Sequence, residues 1–189
     1  MGTEPDFDAM YAADPDPWDV ESSWYERRKL AVLLACLPRE RYATAWEPGS
    51  GPGITTRALA SRVERLTASD GSAAAVRLAQ ERCADLGHVD VRRSSLPHVP
   101  VAHPVDLVVA AEFLYYLPDR VAALDALWRA TVRGGHLLSM HWRHLPDDAH
   151  LSGEQMQDEF GAFARQRGAR RLVHHLDEDF RLDVYEVSA

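Results

Sequence analysis

The sequence predicts an α/β fold: a mostly parallel seven-stranded sheet with helices on both faces and an antiparallel last strand. Three observations carry this. Strand-like and helical runs alternate five times after residue 41, the pattern of strands joined by helical crossovers. The run "VDLVVA" at Val105–Ala110 is apolar apart from one acid, as in a strand buried on both faces. The last two strand-like runs have no long helix between them, so they pair as an antiparallel hairpin.

Residues 1–17 carry Asp, Pro and Gly without periodicity and read as a loose arm. From Ser22 the pattern turns helical. Trp24, Leu30, Leu33, Leu34 and Leu37 can share one face, and Pro38 is the stop. Residues 1–38 are thus an arm and a covering helix, and 42–189 a core, within one domain. In the core, Tyr42–Glu47, Glu64–Ser69 and Val89–Arg93 read as strands, separated by helices at Ile54–Ser61 and Ser72–Leu86. Beyond the Val105–Ala110 strand, Asp119–Val132 is a helix with Val121, Leu124, Leu127 and Trp128 on one side. "RGG" at Arg133–Gly135 reads as a turn into the strand His136–Trp142. The stretch Arg143–Leu151 is either a disordered loop or a substrate rim. Ser152 caps a helix to about Arg167, and Arg171–His175 and Arg181–Val187 are the closing strands.

With 189 residues the chain can bury one substantial core. Its content, 46% hydrophobic and 26% charged, is that of a soluble globular protein. No apolar run approaches the ~20 residues of a membrane span, and the acidic start is unlike a signal peptide. A net charge of −8 argues against nucleic acid or an anionic membrane as partner, since basic patches hold both. It is compatible with a cationic substrate. Cys36 and Cys83 make no disulfide framework and are expected as buried thiols in a reducing cytoplasm. Lys29 is the only lysine, so Schiff-base or lysine-nucleophile chemistry has almost no candidate. The histidines lack cysteine or acid companions at ligand spacing, so no metal is expected.

The chemistry gathers around "AWEPGSGPG" at Ala45–Gly53. A glycine-rich turn after a strand lets backbone amides approach a ligand at the carboxyl edge of a sheet. Asp70 ends the next strand, 21 residues after Gly49, where a carboxylate can hold ribose hydroxyls. The third glycine, Gly53, comes one residue earlier than the dinucleotide fingerprint requires. Glu47, two residues before the first glycine, suits a cationic ligand.

The form E-x-G-x-G-x-G resembles motif I of class I S-adenosylmethionine (SAM)-dependent methyltransferases. "DPWDVESSWYERRK", "EPGSGPG", "ASD", "DLVVAAEFLYYL", "GGHLLSMHWRH" and "DFRLDVYE" together resemble the NodS-type N-methyltransferases, from about Asp16 to Glu186. The resemblance implies a Rossmann-like class I methyltransferase fold, SAM as cofactor and S-adenosylhomocysteine as product. It implies a substrate with a free amine: a deacetylated chitooligosaccharide, an amino sugar or a similar small molecule. Two departures stand out. Ser50 replaces the usual Cys or similar residue between the first glycines, with Pro52 next. Ser95 stands where an Asp often accepts from the adenine amino group.

By resemblance, Glu47, Gly49, Ser50, Gly51, Gly53, Asp70, Gly71, Ser95, Leu96 and Glu112 border the cofactor. Trp18, Trp24, Tyr25 and Arg28 lie on the arm that folds over it, with Arg28 on the SAM carboxylate. Packing in the core is the competing role for Trp24, and a solvated helix face for Arg28. An alkyl ammonium must lose a proton before it attacks. Glu112 and His141, at the carboxyl ends of the fourth and fifth strands, are the candidates to bind the ammonium and take that proton. Tyr25, Tyr115, Tyr116 and Trp142 would wall the substrate. O-methylation in natural-product tailoring, a non-catalytic SAM-binding protein and an NAD-dependent oxidoreductase remain as alternatives; the glycine spacing argues against the last.

Overall fold

The computed structural model describes residues 5–188; residues 1–4 of the arm and residue 189 lie outside the described residues. Seven strands form one sheet: β1 (Tyr42–Pro48), β2 (Val63–Asp70), β3 (Val89–Arg93), β4 (Val105–Ala111), β5 (Thr131–Trp142), β6 (Arg170–Leu176) and β7 (Phe180–Glu186). Their order is β3-β2-β1-β4-β5-β7-β6. Strands β1 to β5 pair parallel, and β7 runs antiparallel between β5 and β6. The helices are α1 (Phe7–Ala13), α2 (Trp24–Ala35), α3 (Ile54–Leu59), α4 (Ala73–Arg82), α5 (Arg120–Ala130) and α6 (Gly153–Gln166).

Side chains alternate across a strand, and β4 is apolar on both faces because both are covered. Leu107 and Val109 join Leu33, Leu59 and Leu66 on the α2 side. Val108 joins Leu124, Leu127, Met156 and Phe160 on the side of α5 and α6. Helix α6 begins with a reciprocal cap: Ser152 Oγ accepts from Gln155 N, and Gln155 Oε1 accepts from Ser152 N. No helix among the described residues is long and apolar enough to cross a membrane.

Four local expectations are corrected. Much of the expected loose arm is helix α1, because Asp6 caps it by accepting from Ala9 N at 3.0 Å. Asp8 then accepts from Ser72 Oγ and Ala74 N, which ties α1 to the start of α4. "RGG" lies inside β5 as an irregularity. The β4 pairing jumps from Thr131 to His136 there, and Gly134 takes φ +72°. Trp24 and Val121 are 72% and 69% exposed, so neither joins a buried face. Cys83 is buried, but Cys36 is only partly so.

Candidate active site

A cavity of about 1180 Å³ opens over the carboxyl ends of β1, β2 and β4. The chain order reverses between β1 and β4, the place where open α/β sheets bind ligands. Helix α1 and Trp18 roof it through an aromatic cluster. Phe7 meets Tyr116 edge-on at 5.2 Å, and Tyr11 meets Trp18 at 5.7 Å.

At one end lies the glycine turn. Gly49, Ser50, Gly51, Asp70, Gly71, Ser95 and Leu96 all line the cavity. Gly51 has φ +52°, and a Cβ there would stand 2.8 Å from the Tyr11 hydroxyl. The turn thus brings bare backbone under the roof. Gly53 serves differently: its Cβ would strike Ala79 at 2.9 Å, so it lets α4 close on the turn and does not line the cavity. Asp70 accepts from Gly51 N and Ser72 N, both at 2.9 Å, and so clamps two loops together. Burial raises its carboxyl, and those backbone donors oppose the rise. Ser50 Oγ is buried without a partner among the described residues, an orphan a ligand can satisfy. Glu47 is buried and among the described residues accepts only from Thr56 Oγ1, at 2.6 Å. Burial, opposed by that bond, pushes it up to about 8.

At the other end stands Glu112, in the left-handed region at φ +61°. A non-glycine residue there costs about 1–3 kcal/mol and persists only where its surroundings fix it. Here they do. Glu112 Oε2 accepts from Tyr115 OH and Trp142 N, each at 2.8 Å, and Oε1 accepts from Lys29 Nζ at 2.7 Å. Burial alone would raise this carboxyl; the Lys29 ammonium carries it below its usual value. Lys29 also donates to Glu26 Oε1 at 2.8 Å. Burial opposes its charge, but the two carboxylates raise Lys29 above its ordinary value. Tyr25, Glu26, Lys29, Tyr115, Tyr116 and Trp142 all line the cavity.

Besides Gly53, three expected site residues do not reach it. His141 is fully buried between Met140 and Trp142 of β5, and those neighbours line the cavity while His141 points to the other face. Its ring lies 5.1 Å behind that of Tyr115, and burial lowers it to about 4. Arg28 binds Asp177 and lies over Phe180, because the helical turn sends Glu26 and Lys29 inward and Arg28 aside. Trp24 sits in solvent. Glu26 and Lys29, with Phe7 and Tyr11 of the roof, were not singled out as site residues. The signals were an acid and the chain's sole lysine at i,i+3, and Phe7 and Tyr11 one turn apart behind an Asp cap.

Sheet order, the glycine turn after β1 and the acid that ends β2 define a protein of the class I methyltransferase fold. The family model described as nodulation protein S (NodS) matches residues 8–136. The chain belongs to this family. Nodulation protein S of Rhizobium tropici is 34% identical over 131 residues, 67% of this chain and 55% of the relative. Trans-aconitate 2-methyltransferase of Azoarcus sp. (strain BH72) is 32% identical over 144 residues, 75% of this chain and 54% of the relative. The chain therefore spans little more than half the length of these curated relatives. The crystal structure of N-methyltransferase NodS from Bradyrhizobium japonicum WM9 with S-adenosylhomocysteine superposes with a TM-score of 0.84. It is 22% identical, with all of both chains covered, and shares the fold.

Proposed function

We propose that this protein is a SAM-dependent methyltransferase whose acceptor is an amine, on an amino sugar, a chitooligosaccharide or a similar small molecule. One observation carries the choice of acceptor: the charge of the cavity. Lys29 is the sole lysine or arginine among the described lining residues, and two carboxylates neutralise it. Acids come from every wall, including Asp6, Asp8, Asp70, Asp147 and Asp148. Such a cavity attracts cations and repels a polycarboxylate. The relative named for trans-aconitate favours the second reading, methylation of a carboxylate, and the same charge argues against it.

The residues present fit the cofactor. The glycine turn exposes bare backbone, Ser50 Oγ lacks a partner, and Asp70 and Ser95 line the same end. When bound, the SAM sulfonium supplies an electrophilic methyl group. The chain's part is to bind, orient and deprotonate the acceptor. Glu112, fixed as an anion, sets a negative potential for an ammonium. Tyr25, Tyr115, Tyr116 and Trp142 offer ring faces to a cation or a sugar. The roof of Phe7, Tyr11 and Trp18 excludes water from the methionine end.

Calorimetric titration tests the cofactor. S-adenosylhomocysteine should bind and NAD should not; binding of NAD alone would overturn the reading. With radiolabelled SAM, a glucosamine oligomer should take label and trans-aconitate should not.

A further inference from the structure

Each candidate for handling the amine's proton has a different environment. Glu112 is saturated, with Lys29, Tyr115 and Trp142 on its two oxygens. His141 lies behind the cavity wall. Asp147 and Asp148 are exposed on the rim. Glu26 is different. It lines the cavity, its side chain is 15% exposed, and among the described residues Oε2 carries no hydrogen bond.

We propose that Glu26 Oε2 receives the acceptor ammonium and takes its proton, while Lys29 and Glu112 hold Glu26 in place. This rests on the reading of the protein as an amine methyltransferase. Lys29 Nζ sits between the two carboxylates at 2.8 Å and 2.7 Å, so the pair shares one cation and one negative charge is left for the substrate. Glu26 is the less satisfied partner. The charged and titratable groups facing it are Lys29 and Tyr25 on its own helix, Glu112 beyond β4, Asp16 of the arm and Tyr115. Burial raises its carboxyl. Lys29 opposes the rise, and Glu112 and Asp16 add to it. A proton acceptor works best when its own value approaches the working pH.

The step balances. One ammonium N–H bond breaks, its electron pair stays on nitrogen, and the proton joins Glu26 Oε2. The lone pair forms the new N–C bond, and the C–S pair stays on sulfur as the thioether. The methylated product leaves as an ammonium, and the proton on Glu26 passes to water.

The test uses the full chain loaded with S-adenosylhomocysteine and a glucosamine tetramer as probe, with its N-acetylated form as control. Calorimetry at about pH 5 and about pH 7 compares the wild type with E26Q and E26D, because the carboxyl is raised above its ordinary value. The wild type should bind the amine more tightly at the higher pH. E26Q should lose about tenfold or more at that pH, the worth of one charge-assisted hydrogen bond, and lose the pH dependence. E26D should keep the pH dependence. Affinity for S-adenosylhomocysteine should be alike in all three. E26Q binding the tetramer as the wild type does at both pH values overturns this assignment alone. A wild type that binds no S-adenosylhomocysteine, or binds the acetylated tetramer equally well, overturns the functional reading and this inference with it.

Discussion

Glu47 and Glu112 end neighbouring parallel strands and carry opposite charge states. Glu47 has one hydroxyl partner, Thr56, and burial pushes it up to about 8. Glu112 has a hydroxyl, a backbone amide and an ammonium, and falls below its ordinary value despite burial. Two glutamates at the carboxyl ends of adjacent central strands thus differ because, among the described residues, only Glu112 has a cation beside it. The glycine-turn end keeps its acid neutral near pH 7. The end beside Lys29 keeps its acid charged.

The strongest way to break this contrast is to remove the cation. Lys29→Met leaves Glu26 and Glu112 without their shared partner. Stripping one partner from a buried pair costs about 3–5 kcal/mol, and here two carboxylates lose it. Denaturant unfolding should show a loss near the upper end of that range at pH 8. The loss should shrink toward pH 5, where the orphaned carboxylates take up protons. A loss independent of pH would mean that packing of the Lys29 stem, and not charge, holds this corner.

The converse experiment is Glu47→Gln. A group whose folded value is raised gives stability that is full below its unfolded value, near 4.5, and drains as pH rises through about 8. The amide has nothing to lose over that window. The variant should therefore match the wild type near pH 4 and exceed it by about 3 kcal/mol at pH 7, at about 1.4 kcal/mol per unit. In the proposed enzyme it should also bind S-adenosylhomocysteine more weakly, a stability gain at the expense of function. Equal thermal midpoints across the whole range would show that Glu47 is not held neutral.

The sheet was legible because its signals are local. Alternation, buried runs and the glycine turn each lie within a dozen residues. The candidate site was legible as separate residues at both ends, with Gly49, Gly51 and Asp70 at one and Glu112, Tyr25, Tyr115, Tyr116 and Trp142 at the other, but not as a network of contacts. Asp70 could be found by counting from Gly49, whereas the Lys29–Glu112 contact joins residues 83 apart in sequence, which no spacing rule reaches. Lys29 is visible as the only lysine, but sequence alone does not tell a nucleophile from a counter-ion. Its role as a buried counter-ion depends on where α2 lands on the sheet. The loose reading of the arm failed over Phe7–Ala13 for a smaller reason: α1 is short, and it gains from Asp8 bonding the start of α4 across 64 residues.

His141 could have been placed by parity. Met140 and Trp142 face the cavity, so the residue between them cannot. Replacing it by Gln should accordingly have the smallest effect of the three at pH 7, and in the proposed reaction should leave the pH–rate profile in place. Its signature lies in acid. A histidine lowered to about 4 gives stability that is full above its usual value of 6.5 and is lost as pH falls through about 4. The unfolded chain takes up that proton first. His141→Gln should flatten the decline of stability between those two values while changing the neutral-pH midpoint little. A variant that instead abolishes the acid limb of the rate profile would return the proton to His141, and would require the Tyr115 ring to swing out of its path.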